Sequence, residues 1–200
     1  MSKRILTIIM ALLSYTVHAQ VALDSEGRDA EYVNTIKTRS EKIVQTLALD
    51  DKNVYENVLN IVCNRYFKLN DIYRDYPDKN VRDAELYKHH FEFEADLANY
   101  LSDTQIEQVK DGMTYGVVQK TYEAHLEMIP SLSEAEKRQI LNWLKEAREF
   151  AIDAENSKAK HTWFGKYKGR INNRLSKRGY NLDEERKAWY KRIEEKKKNK

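Results

Sequence analysis

Apolar positions recur three and four residues apart through almost the whole chain, and nowhere does a sustained alternation suggest strands. Tyr32, Ile36, Ile43 and Leu47 predict a first helix over about 28–48. Asp50 or Asp51 can cap a second, whose face is Val54, Val58, Ile61, Val62, Tyr66, Leu69 and Ile72. Tyr76-Pro77-Asp78 ends it, because proline lacks the backbone donor and disfavours helix in the residue before it. A third helix is expected over about 81–100, with Leu86, Phe93 and Leu97 inward. Ser102 and Gln105 have capping-box spacing and open a short fourth, with Asp111-Gly112 as its expected stop. From Met113 to Pro130 the pattern is ambiguous: "MTYGVV" reads as extended, and 122–128 as a helical turn or two.

Ser133 and Glu136 form a second capping box, opening a helix with Ile140, Leu141, Leu144, Ala147, Phe150 and Ala151 on one face. Over about 158–177, Phe164, Tyr167, Ile171 and Leu175 make a stripe with Trp163 beside it, while Lys166, Lys168, Arg170, Arg174 and Lys177 cover the rest. Gly165 and Gly169, four apart, predict close packing of another backbone, since each mid-helix glycine costs about 1 kcal/mol against alanine. Asp183 is expected to cap a charged last helix through Trp189 and Ile193, and 196–200 to fray as a basic tail. The expectation is an all-α, single-domain bundle of about six to seven helices over 20–195.

Composition adds a compartment. Lys3 and Arg4 precede a short apolar run from Ile5 to Val17, and Val17-His18-Ala19 has the small residues of a cleavage site. Residues 1–19 therefore read as a signal peptide, and the mature chain as periplasmic or secreted, with no transmembrane segment after cleavage. The lone cysteine, Cys63, excludes an intramolecular disulfide and falls within an apolar helical pattern, so it is expected to be buried. Charge is divided unevenly: residues 158–200 carry 16 Lys and Arg against 5 Asp and Glu, whereas 20–157 carry 17 against 27. A basic final quarter on an acidic body can neutralise that body or receive an anionic partner.

Candidate chemistry is sparse. His89 and His90 are adjacent and would project about 100° apart on a helix, so they do not converge on one ion. Glu85 with His89, and His90 with Glu94, have i,i+4 spacing and read as exposed ion pairs, short of the three or four ligands a zinc site requires. His125 and His161 are isolated. No nucleophile elbow or phosphate loop is present, and no metal or other cofactor is expected. Two segments are less generic: "KDGMTYGVVQKTY" (110–122), with two glycines among polar and aromatic tips, and "HTWFGKYKGRINNR" (161–174).

"LSDTQIEQVKDGMTYG" (101–116), "TYEAHLEMIPSLSEAEK" (121–137), "KEAREFAIDAENSKAKH" (145–161) and "FGKYKGRINNRLSKRGYNL" (164–182) together resemble a bacterial secreted family known only as a domain of unknown function. The resemblance implies an exported protein encoded among polysaccharide-degradation genes, and it carries no catalytic residues across. "LSDTQ" also resembles the Leu-Thr-x-x-Gln pattern of small periplasmic helical chaperones, a pattern that a capping box generates by itself. The functional expectation is a non-catalytic accessory or binding protein in polysaccharide use. Tyr115, Tyr122 and Trp163 would stack on sugars, Asn172 and Asn173 would bond hydroxyls, and Lys166 and Arg170 would pair with an anionic oligosaccharide. The alternatives are a chaperone-like protein and a helical hydrolase or lyase. The basic quarter fits nucleic acid in charge alone, with no recognised motif, and export argues against it. Oligomeric state is not legible.

Overall fold

Short polar residues set the helix starts. Asp29, Asp51, Asp78, Ser102, Ser133 and Asn156 each sit in extended conformation and accept a bond from an amide in the following first turn. Both capping boxes are complete, Ser102 with Gln105 and Ser133 with Glu136. The computed structural model describes residues 20–198. Among the described residues there are eight α-helices and no strand: α1 (Ala30–Val44), α2 (Lys52–Asp75), α3 (Lys79–Ala98), α4 (Asp103–Met113), α5 (Val117–Met128), α6 (Glu134–Ile152), α7 (Ser157–Lys177) and α8 (Leu182–Lys198). A 3-10 turn, Gln45–Leu47, follows α1.

The all-α expectation holds, with eight helices where six to seven were expected. The difference lies in the ambiguous stretch and at Gly112. Helix α4 runs through Gly112 to Met113, a turn over Thr114–Gly116 follows, and α5 is a full helix in place of the extended segment. Gly112 is not a stop signal. A Cβ there would sit 2.8 Å from Ile43 Cγ2, so glycine is what lets α4 lie against α1. Helix α4 ends one residue later, and Tyr115 and Gly116, both with φ of 63°, make the turn that follows. Gly165 and Gly169 correct the expectation the other way. A Cβ at either would meet nothing within 4 Å, so they face open space and admit no close neighbour. Asn181, not Asp183, caps α8, accepting from the Glu184 amide at 3.3 Å, and the helix continues to Lys198 through residues expected to fray. The expected signal peptide lies outside the described residues.

Two apolar clusters organise these helices. The first joins α1–α4, with Val44, Val58, Val62, Cys63, Phe67, Leu97 and Val109 essentially inaccessible. The second joins α5–α7 around Ile129, Leu144, Ala147, Phe164 and Ile171. Helix α6 serves both, since Ile152 at its end belongs to the first cluster and Ile140 through Ala151 to the second. Among the described residues no helix is long and apolar enough to cross a membrane.

Candidate functional site

Where α6 ends and α7 begins, charged side chains knit the two clusters together. Arg148 is 1% exposed, and its guanidinium reaches Glu107 and Asp111 on α4, the latter at 2.9 Å, and Glu149 beside it at 3.0 Å. Lys110 is also buried and bonds Glu94 at 2.6 Å and Glu149 at 3.0 Å. Burial disfavours the Lys110 ammonium, but these two carboxylates outweigh it and hold the pKa above the ordinary lysine value. Arg65, on α2, donates to Asp153 just beyond α6 and, at 2.8 Å, to the His89 carbonyl. The other Asp153 oxygen lies 2.6 Å from His90 Nδ1. That bond raises the His90 pKa above the usual imidazole value against the opposing effect of burial. His90 therefore leaves Glu94 to Lys110 and takes a tertiary partner, which corrects the expected local pair. His89 keeps the local reading, between Glu85 and Glu92.

His90 and Asp153 form the floor of a groove of about 560 Å³ between α3 and the α6–α7 hairpin. Its walls are aromatic. Tyr87 and Phe91, one turn apart on α3, are 70% and 60% exposed and meet edge to face at 5.7 Å. Opposite them Phe150, 47% exposed, stacks on Trp163 with centroids 4.7 Å apart and planes 18° from parallel. Phe150 thus belongs to the groove wall and not to the buried face of α6. Arg82 stands at the rim over the Tyr73 ring, tied by one nitrogen to the Tyr76 and Pro77 carbonyls. A concave site of this size with apolar walls and a few converging polar groups is the usual form of a small-ligand site.

Tyr73 and Ala154 also line a second, more polar cavity of about 360 Å³, between α1, α2 and the start of α7. Lys160 reaches it from the apolar stripe of α7. It is 5% exposed, donates to the Met113 carbonyl at 3.0 Å and lies 5.6 Å from the Tyr66 ring centroid. Burial, reinforced by Arg39, lowers its pKa to about 8. Tyr115 borders the same cavity and stacks on His161 at 5.5 Å.

The residues expected to bind ligand are not gathered in one place. Trp163 lines the groove and Tyr115 the second cavity. Tyr122 packs against the core of α5–α7. Lys166 covers the Trp163 ring at 4.2 Å, and Arg170 lies 4.6 Å from the Trp143 centroid and 3.4 Å from Glu146. Asn172 is half-buried, and Asn173 is exposed along the outer strip of α7 with Lys166 and Arg170. His125 is buried and donates to the Thr121 carbonyl of its own helix. Segments 110–122 and 161–174 do touch, through Tyr115 on His161, with Lys160 adding a bond to Met113. Among the described residues no group of three or more His, Cys, Asp or Glu side chains is arranged to hold a metal ion.

Sequence reasoning missed His90 with Asp153, the Tyr87–Phe91 pair, and Lys160. Asp153 and His90 are 63 residues apart, so no local spacing could pair them. Tyr87 and Phe91 had a visible signal: they stand one turn apart, off the stripe of Phe93 and Leu97. Lys160 had one too, since it takes the place of an apolar residue one turn before Phe164.

No curated protein matches the chain. A family model does, over residues 33–83 and 76–195, so that the match takes in α2 through α7 with both cavities, and the chain belongs to the family described as protein of unknown function (DUF3826).

Proposed function

We propose that the protein is an exported carbohydrate-binding accessory protein of polysaccharide use, and that the groove between α3 and the α6–α7 hairpin is its binding site. The observation that carries this reading is the set of solvent-facing aromatics, Tyr87, Phe91 and Phe150, with the half-buried Trp163 stacked behind Phe150, held over a hydrogen-bonding floor. Exposing such large rings costs solvation unless a ligand covers them, and pyranose rings offer the matching surface: an apolar C–H face edged by hydroxyls. The hydroxyls would meet Asp153, Glu149 and His90, whose positions are already set by Arg65 and Lys110. Trp163 is retained from the expected set, with Lys166 bracing its outer face. A glycan array followed by calorimetry tests the reading. Binding to at least one oligosaccharide is expected, weakened roughly tenfold or more by Phe150→Ala or Trp163→Ala. Absence of binding across neutral, uronate and sulfated glycans would remove it.

The His90–Asp153 pair favours a second reading, proton transfer to a bound glycan. A carboxylate that orients an imidazole and raises its pKa is suited to general acid work. Release of reducing ends from a bound oligosaccharide, abolished by His90→Gln with binding retained, would replace the non-catalytic reading with this one.

A further inference from the structure

The cavity around Lys160 holds a positive charge with no direct ion pair: Asp153, the carboxylate that acts on it from a distance, is already bound by Arg65 and His90. Among the described residues neither Lys160 nor Arg39 has a carboxylate within ion-pair distance. Lys160 has the Met113 carbonyl, and Arg39 lies 5.5 Å from the Tyr66 ring centroid. This contrasts with Arg65, Lys110 and Arg148 nearby, each of which is buried against one or more carboxylates. Arg74 borders the cavity but is taken up by Asp71 and Asp75, and the acidic group on the cavity wall is the exposed Glu155. An ammonium removed from water with one neutral acceptor leaves two of its three protons without an acceptor and none with a charged one, a costly arrangement unless an anion completes it. The rest of the lining has donor chemistry suited to an oxyanion: the Tyr66 and Tyr115 hydroxyls, the Arg39 guanidinium, and Ser157 at the opening turn of α7. Tyr115 is held in this wall at a φ of 63°, a conformation a bulky residue rarely adopts.

The cavity is not isolated. Tyr73 and Ala154 line both it and the aromatic groove, so the two sites adjoin. We propose that the Lys160–Arg39 cavity is an anion subsite, taking the carboxylate or sulfate ester of an oligosaccharide whose ring lies in the aromatic groove. The inference rests on the carbohydrate reading of that groove and names its substrate class as acidic. The cations come from α1 and the buried stripe of α7, not from the exposed strip that holds Lys166 and Arg170.

Calorimetry on the intact protein separates the two ideas. The probes are a uronate tetrasaccharide, the same tetrasaccharide with its carboxyls reduced to alcohols, a sulfated tetrasaccharide, and inorganic sulfate. The wild type is expected to bind one acidic tetrasaccharide more tightly than the reduced one. Lys160→Met and Arg39→Gln should each weaken the acidic ligand roughly 10- to 100-fold, the scale of a charged hydrogen bond, and leave the reduced ligand unchanged. Phe150→Ala should weaken both. Tighter binding of uronate or of sulfated sugar identifies which oxyanion the cavity takes. Equal affinity for acidic and reduced ligands in the wild type, or acidic binding indifferent to Lys160→Met and Arg39→Gln, overturns the subsite while leaving the groove as a sugar site. If no tetrasaccharide binds but inorganic sulfate does, and Lys160→Met abolishes that heat, the anion site stands and the carbohydrate reading falls. Circular dichroism and unfolding of both variants confirm that they are folded. Arg39 is exposed, so Arg39→Gln carries the test even if Lys160→Met perturbs packing.

Discussion

Replacing Lys160 with methionine should stabilise the unliganded protein near neutral pH. Folding moves this amine from its ordinary pKa of 10.5 down to about 8, because it is withdrawn from water beside Arg39. At about 1.4 kcal/mol per unit, holding the ammonium in the folded state costs about 3 kcal/mol at pH values below both pKa values. Methionine keeps the length of the stem and removes the charge, at the loss of the bond to the Met113 carbonyl, about 1 kcal/mol. A net gain of about 2 kcal/mol is therefore expected at about pH 7. The sign reverses with pH. Between about 8 and 10.5 the unfolded chain binds the proton and the folded chain does not, so wild-type stability rises through this window relative to the variant. The groups facing Lys160 are Arg39 on α1, Arg65 and Tyr66 on α2, Tyr115 before α5, and Asp153 and Glu155 between α6 and α7. They remain in both proteins, and their own titrations largely cancel in the difference. Urea unfolding of both proteins across about pH 6 to 10, read by far-ultraviolet circular dichroism, checks this. A variant less stable than wild type at neutral pH, or a difference that does not shrink as pH rises, would refute the claim that Lys160 is a charge buried at a cost.

Gly112→Ala should destabilise by about 1–3 kcal/mol, since its methyl would press on Ile43, whereas Gly165→Ala and Gly169→Ala should each stabilise by about 1 kcal/mol; thermal melts of the three variants measure the contrast. Arg148→Ala should cost about 3–5 kcal/mol, because it leaves Glu107, Asp111 and Glu149 facing one another without their shared cation; denaturant unfolding reports it. His90 should titrate above 6.5 by nuclear magnetic resonance and fall toward that value in Asp153→Asn. Its pairing therefore adds stability that is fully present below 6.5 and lost as pH rises through the raised folded value.

What the chain discloses in advance is local. Caps, the proline stop and apolar stripes are interactions within one helix, so Ser102 with Gln105, Ser133 with Glu136, and the α7 stripe from Phe164 to Leu175 can be read directly. Glycines are different, because the same residue type serves opposite ends. Gly112 admits Ile43 of another helix, while Gly165 and Gly169 admit nothing, and only the neighbour in space distinguishes them. The end of α4 falls at Met113, one residue past the expected stop at Asp111-Gly112, because the turn depends on Tyr115 and Gly116 adopting positive φ. The candidate site is tertiary throughout: His90 finds Asp153, Phe150 finds Trp163, and Lys160 finds Met113 across 47 residues.

The buried ion network and the proposed binding surfaces solve one mechanical problem. Both cavities open beside residues 153–156, the turn between α6 and α7, and an unrestrained turn would let groove and cavity move independently. Asp153 prevents that. Its carboxylate is held by Arg65 from α2 and His90 from α3, and its carbonyl accepts from the Tyr73 hydroxyl at 3.0 Å. Tyr73 lines both cavities, so the same turn fixes the floor of one and the wall of the other. Buried ion pairs contribute little net stability against well-packed apolar residues of the same size. Their use here is better explained by position, because an apolar core could not hold charged groups at the base of an open groove. Lys160 completes the contrast. It is buried one turn into α7 from the same junction, but among the described residues no carboxylate lies within ion-pair distance of it, which suits a site that receives its counter-charge from outside.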